Sequence, residues 1–292
     1  MKGKKEIPFI KMHGIGNDYI YIDTIGKETP EYLKEENLPD LSRKISERHF
    51  GVGSDGLILI LPSDIADFRM RIFNADGSEA KMCGNGVRCV GKYVYDLGLT
   101  DKKTLSIETN SGIKYLELIT GNNGVESVIV DMGSPFFKRR EIPVIGEPEE
   151  EMVDQLLESN GVQYKVTGVS MGNPHGVVFV DEVDNLDLEK IGPELENNSI
   201  WPDRANIEFV KVISPEEIQV RVWERGSGET WACGTGACAS AVASFRKGFT
   251  GKDVKVHLRG GDLDISYDEG DNKVKMTGPA EFIAKGTFLD RE

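Results

Sequence analysis

FNADGSEAKMCGNGVRC, from Phe73 to Cys89, lies without a gap on WERGSGETWACGTGACA, from Trp223 to Ala239, at an offset of 150 positions. Arg71-Ile72-Phe73 matches Arg221-Val222-Trp223, Glu79 matches Glu229, Cys83 matches Cys233, and Gly84 and Gly86 match Gly234 and Gly236. Each copy reads strand, turn, cysteine, helix, so the chain carries one device twice. A looser echo joins Gly16-Asn17, before the apolar run YIYID, to Gly172-Asn173, before PHGVVFVD. In both, Gly-Asn reads as a turn beside a strand.

Outward from these copies, short β-branched runs predict strands at Leu57–Leu61, Phe68–Phe73, Val125–Val130, Gly176–Val180, Ile218–Trp223 and Val254–Leu258. Helices are expected over Asp40–Arg48, Gly86–Leu97, Glu149–Ser159 and Gly234–Arg246. The last is small and apolar on nearly every face, as a buried helix should be. The stretch Met132–Pro148, with three prolines and several charges, is the expected connection between halves.

The 292 residues suffice for two domains that each bury a core. A formal net charge of −14 opposes contact with phosphate backbones and anionic lipid, which argues against nucleic acid and membrane partners. No apolar run approaches the roughly 20 residues that span a bilayer, and the opening MKGKKEIPFIKMHG lacks a secretory apolar stretch. A cytoplasmic protein is expected. Its four cysteines are too few to staple a chain of this length, so they are read as free thiols.

A cysteine just before a helix sits at the positive end of the macrodipole beside unpaired N–H groups, which favours its thiolate. Glycines 84, 86, 234 and 236 clear side chains from those N–H groups, leaving room for a carboxylate. Inverting a stereocentre needs a base on one face and an acid on the other. Two facing copies supply both, with Cys83 and Cys233 exchanging thiol and thiolate roles while the N–H groups stabilise the carbanion. No cofactor is required. Cys89 and Cys238, without the glycine frame, read as small buried hydrophobes.

Other readings of these residues fail. A dinucleotide fingerprint would need a third glycine where Cys89 and Ala239 stand. The spacings Cys-x5-Cys and Cys-x4-Cys match no metal knuckle, and no Cys-x-x-Cys redox pair occurs. No metal is expected.

HGIGNDY, FNADGSE with CGNGVRC, GNPHG, RANIEFV and ERGSGETWACGTGACAS, in that order and across nearly the whole chain, resemble the diaminopimelate epimerases. Proline and hydroxyproline racemases look similar around the cysteines but carry His where Asn85 stands. The resemblance implies an α+β fold of two pseudo-symmetric domains, each a curved, barrel-like mixed β-sheet around a central helix, with the active site in the cleft between them. It places residues 1–133 and 280–292 in the first half, 134–279 in the second, and returns a final strand, about Glu281–Phe288, to the first.

It further implies epimerisation of LL-2,6-diaminopimelate to the meso isomer, in lysine and peptidoglycan precursor biosynthesis, by a homodimer. Cys83 and Cys233 would be the acid/base pair. Gly84, Asn85, Gly234 and Thr235 would hold the reacting carboxylate through their N–H groups, Asn74 and Glu224 would flank the α-amino group, and His175 would assist. Asn17, Asn173, Asn206 and Arg225 would grip the distal amino-acid end; a guanidinium forms a planar pair with a carboxylate. Gly56 stands where some members have a substrate-touching Gln, and is left out of the site. Closure would expel water, and oxidation linking Cys83 to Cys233 would abolish activity until reductant restores it. A racemase of another amino acid, or a silent amino-acid-binding protein, stay open as alternatives; binding alone needs neither thiol.

Overall fold

Ile15 and Gly16 both take positive φ, 48° and 87°, the two-residue turn whose twist matches that of flanking strands. They close a hairpin of β1 (Lys5–Gly14) on β2 (Asn17–Asp23), with Gly14 opposite Asn17. The computed structural model describes residues 5–290, and the outermost ends of the expected halves, residues 1–4 and 291–292, lie outside the described residues. Within them the chain divides into two compact units, one of the residues up to Val130 together with those from Gly278 on, the other of Asp131–Thr277.

In the first unit β2 is followed by α1 (Leu38–Ser46), whose Leu38, Leu41 and Ile45 form a buried stripe. β3 (Gly56–Leu61) runs parallel to β2, and β4 (Phe68–Asn74) antiparallel to β3. After the short β5 (Glu79–Ala80) comes α2 (Gly84–Asp96), then β6 (Thr104–Thr109) parallel to β4, and the antiparallel β7 (Gly112–Gly121) and β8 (Gly124–Gly133). The run GLILIL of β3 is apolar without alternation because both its faces are covered. Leu57 and Leu59 join the core around α1, whereas Ile58 points to α2 and would meet a Cβ on Gly86 at 2.6 Å.

The second unit repeats this order: β9 (Gln155–Ser159), β10 (Val162–Ser170), β11 (Pro174–Phe179), α3 (Leu188–Glu196), β12 (Asn206–Ser214), β13 (Glu217–Glu224), β14 (Gly228–Thr230), α4 (Gly234–Arg246), β15 (Asp253–Leu258), β16 (Gly261–Asp268) and β17 (Lys273–Gly278). The parallel pairs recur as β11 with β12 and β13 with β15. The last strand, β18 (Glu281–Asp290), lies antiparallel to β1 in the first unit, as β9 lies on β10 in the second. α4 is buried from residue 234 to 244 except at Thr235, and packs on β10–β13, β15 and β16, so each unit is a curved mixed sheet around one central helix. This is the α+β fold of two like halves that the resemblance implies.

One expected helix fails and one helix is unforeseen. The helix expected at Glu149–Ser159 is instead an irregular lead into strand β9. Its acidic residues form no apolar stripe, while Leu157 and Ser159 are buried in alternation. Asn160-Gly161, at φ 50° and 75°, closes a hairpin with Ser159 opposite Val162. The unforeseen helix is α3, which holds Pro193 in its interior and begins 150 positions after α1. No helix among the described residues is long and apolar enough to cross a membrane.

Candidate active site

Cys83 ends an extended segment (φ −138°, ψ 118°) and caps α2, its Sγ accepting the Gly86 N–H at 3.3 Å. Cys233 repeats this at α4, with φ −121°, ψ 110° and the Gly236 N–H at 3.3 Å. Each thiol thus takes one of the N–H groups that a helix start leaves unpaired, and residues 84–85 and 234–235 form the rest of that first turn. Packing also requires the glycines at 86 and 236. A Cβ at 86 would meet Ile58 Cδ1 at 2.6 Å, and one at 236 would meet Glu208 Oε1 at 2.7 Å. The sheet beneath each helix fills that space.

Around Cys83 the structure gathers Asn17, Asn85 and Tyr19. Asn17 Oδ1 accepts from Cys83 Sγ at 3.3 Å and from Asn85 Nδ2 at 3.4 Å. Its Nδ2 donates to Asp55 Oδ2 at 2.8 Å, and Asp55 in turn pairs with Arg48 at 2.8 Å. Asn17 therefore stands beside a thiol. The buried Tyr19 neighbours Cys83 and Asn17; burial, then the charges of Cys83 and Asp55, hold its hydroxyl protonated. Asn74 turns to its own loop, donating to Ser78 Oγ at 3.0 Å. Gly56 lies opposite Tyr19, and a Cβ there would fall 2.2 Å from the Phe73 carbonyl oxygen and 3.0 Å from the Tyr19 ring. A glutamine does not fit this backbone.

Around Cys233 a chain of polar groups runs inward. Thr235 Oγ1 lies 3.6 Å from Cys233 Sγ and accepts from Asn173 Nδ2 at 3.3 Å. Asn173 Oδ1 faces His175 Nε2 at 3.0 Å, and His175 Nδ1 meets Glu208 Oε1 at 2.7 Å, with His175 and Glu208 both fully buried. Asn173 is thus occupied with the thiol's neighbours. Glu224 accepts from the Thr230 hydroxyl. Asn206 donates to the Pro174 carbonyl at 3.2 Å and accepts the Arg225 N–H at 2.9 Å, while the Arg225 guanidinium donates to the Asp203 carbonyl at 2.8 Å.

The expected ease of ionisation fails at Cys233. Burial, then the charges of Glu224 and Glu208, push its thiol well above the ordinary range, against the opposing Thr235 hydroxyl and Gly236 N–H. A helix start contributes at most about 2 kcal/mol, or about 1.5 pKa units, whereas full burial shifts a group by up to 3–5. Burial wins, and Cys233 rests as a thiol. Cys89, without a site, is likewise pushed up to about 11 by burial.

Tyr19, Asp55 and Glu208 are the neighbours that sequence reasoning passes over. Glu208 carries a readable signal, a lone carboxylate inside the apolar run NIEFV, since charges are buried only when partnered.

The hydroxyproline epimerase of Agrobacterium vitis, solved with bound trans-4-hydroxy-L-proline, aligns with a TM-score of 0.70 at 16% identity over 99% of this chain and 93% of that one. A PhzF-family phenazine biosynthesis protein of Bacillus anthracis aligns at 0.68 and 20% identity over 98% and 100%. Both share the fold. A diaminopimelate epimerase of Methanococcus maripaludis strain C6 is 52% identical over 278 residues, 95% of this chain and 98% of that one. One of Agathobacter rectalis is 52% identical over 287, covering 95% and 98%. The family model described as diaminopimelate epimerase matches residues 9–138 and 167–283, which include both cysteine-capped helices. With two like units, a thiol capping each central helix and half of all positions shared along nearly its full length, the chain belongs to the diaminopimelate epimerase family.

Proposed function

We propose that this protein is an isomerase that converts LL-2,6-diaminopimelate to the meso isomer, using Cys83 and Cys233 as its two acid/base groups and no cofactor. The observation that carries this reading is the repeated capping thiol: each unit holds one cysteine on the first turn of a buried helix, at 3.3 Å from the third N–H. Family membership supports the substrate.

In one direction of the reaction Cys83, as thiolate, takes the α-proton and Cys233, as thiol, is the acid. The C–H electron pair stays on the α-carbon, delocalised into the carboxylate that the N–H groups of Gly84, Asn85, Gly234 and Thr235 receive. Cys233 returns a proton to the opposite face, so the two thiols have exchanged states and the reaction is balanced without oxidant or reductant. His175 acts near the reacting centre and Asn74 and Glu224 at the α-amino group; Asn17, Asn173, Asn206 and Arg225 grip the distal amino-acid end. Reuse of the enzyme for the reverse direction swaps the roles. The reading extends to lysine and peptidoglycan precursor biosynthesis, to a homodimer, and to the cytoplasm, where four unbridged cysteines belong.

Proton NMR of LL-diaminopimelate in deuterated water tests it. The reduced protein should form the meso isomer with deuterium at the α-position, and Cys83→Ala and Cys233→Ala should each lose at least about a hundredfold in rate. Wild type that neither exchanges nor isomerises this substrate would refute the assignment, and proline and other amino acids would then be screened.

A further inference from the structure

We infer that Glu208 is a positioning residue for the acid half of this reaction, holding the His175 ring with its Nδ1 proton toward the carboxylate and, through Asn173 and Thr235, fixing the Cys233 thiol. The inference rests on the function proposed above and adds to it a residue that never touches substrate.

The first unit supplies the control. Tyr19 pairs with Gly56 across β2 and β3, as His175 pairs with Asn206 across β11 and β12. Two residues beyond Gly56 and Asn206 stand Ile58 and Glu208, and each fills the space under the third residue of its unit's central helix. The niche thus accepts an apolar side chain in one copy and holds a carboxylate in the other. Burying a carboxylate costs far more than burying an isoleucine, and here only Oε1 is partnered, Oε2 being buried with no hydrogen-bond partner among the described residues. Folding does not require that charge, since the fold closes over Ile58 without it. The carboxylate goes together with His175, and the isoleucine with Tyr19.

The polarity of the chain follows from the acceptor at its end. Asn173 donates through Nδ2 to Thr235, so its Oδ1 accepts, and the ring stands between two acceptors, Glu208 Oε1 at Nδ1 (2.7 Å) and Asn173 Oδ1 at Nε2 (3.0 Å); both ring nitrogens donate, which fixes the ring plane. Asn173 then orients Thr235 at 3.3 Å, beside the thiol. Removal of Glu208 leaves Nδ1 without its acceptor and frees the ring to rotate, and the chain loses its direction.

The test uses full-length protein with 15N-labelled histidine, assigning the His175 signals by their loss in His175→Gln. Wild type should show Nδ1 protonated. Glu208→Ile, which copies Ile58 into the equivalent niche, should fold, lose that signature, and lower kcat roughly a hundredfold with KM little changed, the size of effect that misplacement of a reacting group produces. Glu208→Gln keeps an acceptor for Nδ1 and should retain the signature and recover at least about tenfold of that loss. Wild type with Nδ1 unprotonated would overturn the inference even if Glu208→Ile fails to fold. So would Glu208→Ile with wild-type kcat, or equal losses in both variants with unchanged imidazole signals. A wild type inactive on diaminopimelate, with Nδ1 protonated and its signature lost in Glu208→Ile, would refute the substrate alone and leave the positioning role standing.

Discussion

Cys83 and Cys233 stand at the same point of the same strand–turn–helix device, with matching backbone angles and the same 3.3 Å bond from the helix's third N–H. Their surroundings differ. Cys83 is half-buried, beside the hydroxyl of Tyr19 and the amide of Asn17. Cys233 is buried, with Glu224 and Glu208 raising the cost of ionising it. A symmetric scaffold has been equipped asymmetrically. For a reaction that needs one base and one acid at the start, unequal neighbours around equal thiols make one protonation pattern preferred.

Removing the partners of each thiol should break this comparison most visibly. His175→Gln should lower kcat by about a hundredfold, whereas Tyr19→Phe, which loses one hydroxyl near Cys83, should lower it severalfold, both read from initial rates of isomerisation. Equal losses would mean that the two neighbourhoods contribute alike.

The framework beneath offers the next contrast. Arg71 pairs with Glu79 and Arg221 with Glu229 through the same two bonds of 2.8 and 3.0 Å. Arg71 adds the exposed Glu35, while Arg221 adds the carbonyls of Val183 and Leu186 at 2.7 and 2.8 Å. Urea unfolding should therefore find Arg221→Met costing about 2–3 kcal/mol and Arg71→Met about 1.

The smallest effect sharpens the ionisation contrast. Because the Cys233 thiol is raised, its alkylation by iodoacetamide should be slow at neutral pH and climb only above the ordinary cysteine range, near about 8.5. Glu224→Gln removes a charge that opposes the thiolate, so alkylation of Cys233 at neutral pH should quicken severalfold, as mass spectrometry of the labelled peptide would read. An unchanged rate would leave burial and Glu208 as the causes.

Much of this was legible in the residues. The turn at Gly16, one residue before the Asn17 that the sequence reading included in it, the cysteines before Gly84 and Gly234, and the period-two strands β4 and β13 are local patterns, each set by neighbours within a few positions. The errors have equally local causes. A run of acids at Glu149–Glu151 looks helical by propensity, yet Asn160-Gly161 and the alternation before it make a hairpin. Pro193 hid α3, although its start falls at the same offset of 150 from α1 as the cysteines do from each other.

The sequence by itself determined that the chain is a duplication and that each copy puts a thiol on a helix start, because capping is decided within four residues. Only the tertiary structure decided what those thiols can do. Glu208 reaches the first turn of α4 from a strand 25 residues earlier in the chain, counted to Cys233, and Tyr19 reaches Cys83 from a strand beyond the first helix. Which groups share a buried space depends on strand register and on which face of the sheet each side chain takes, and neither is written in the spacing around a cysteine.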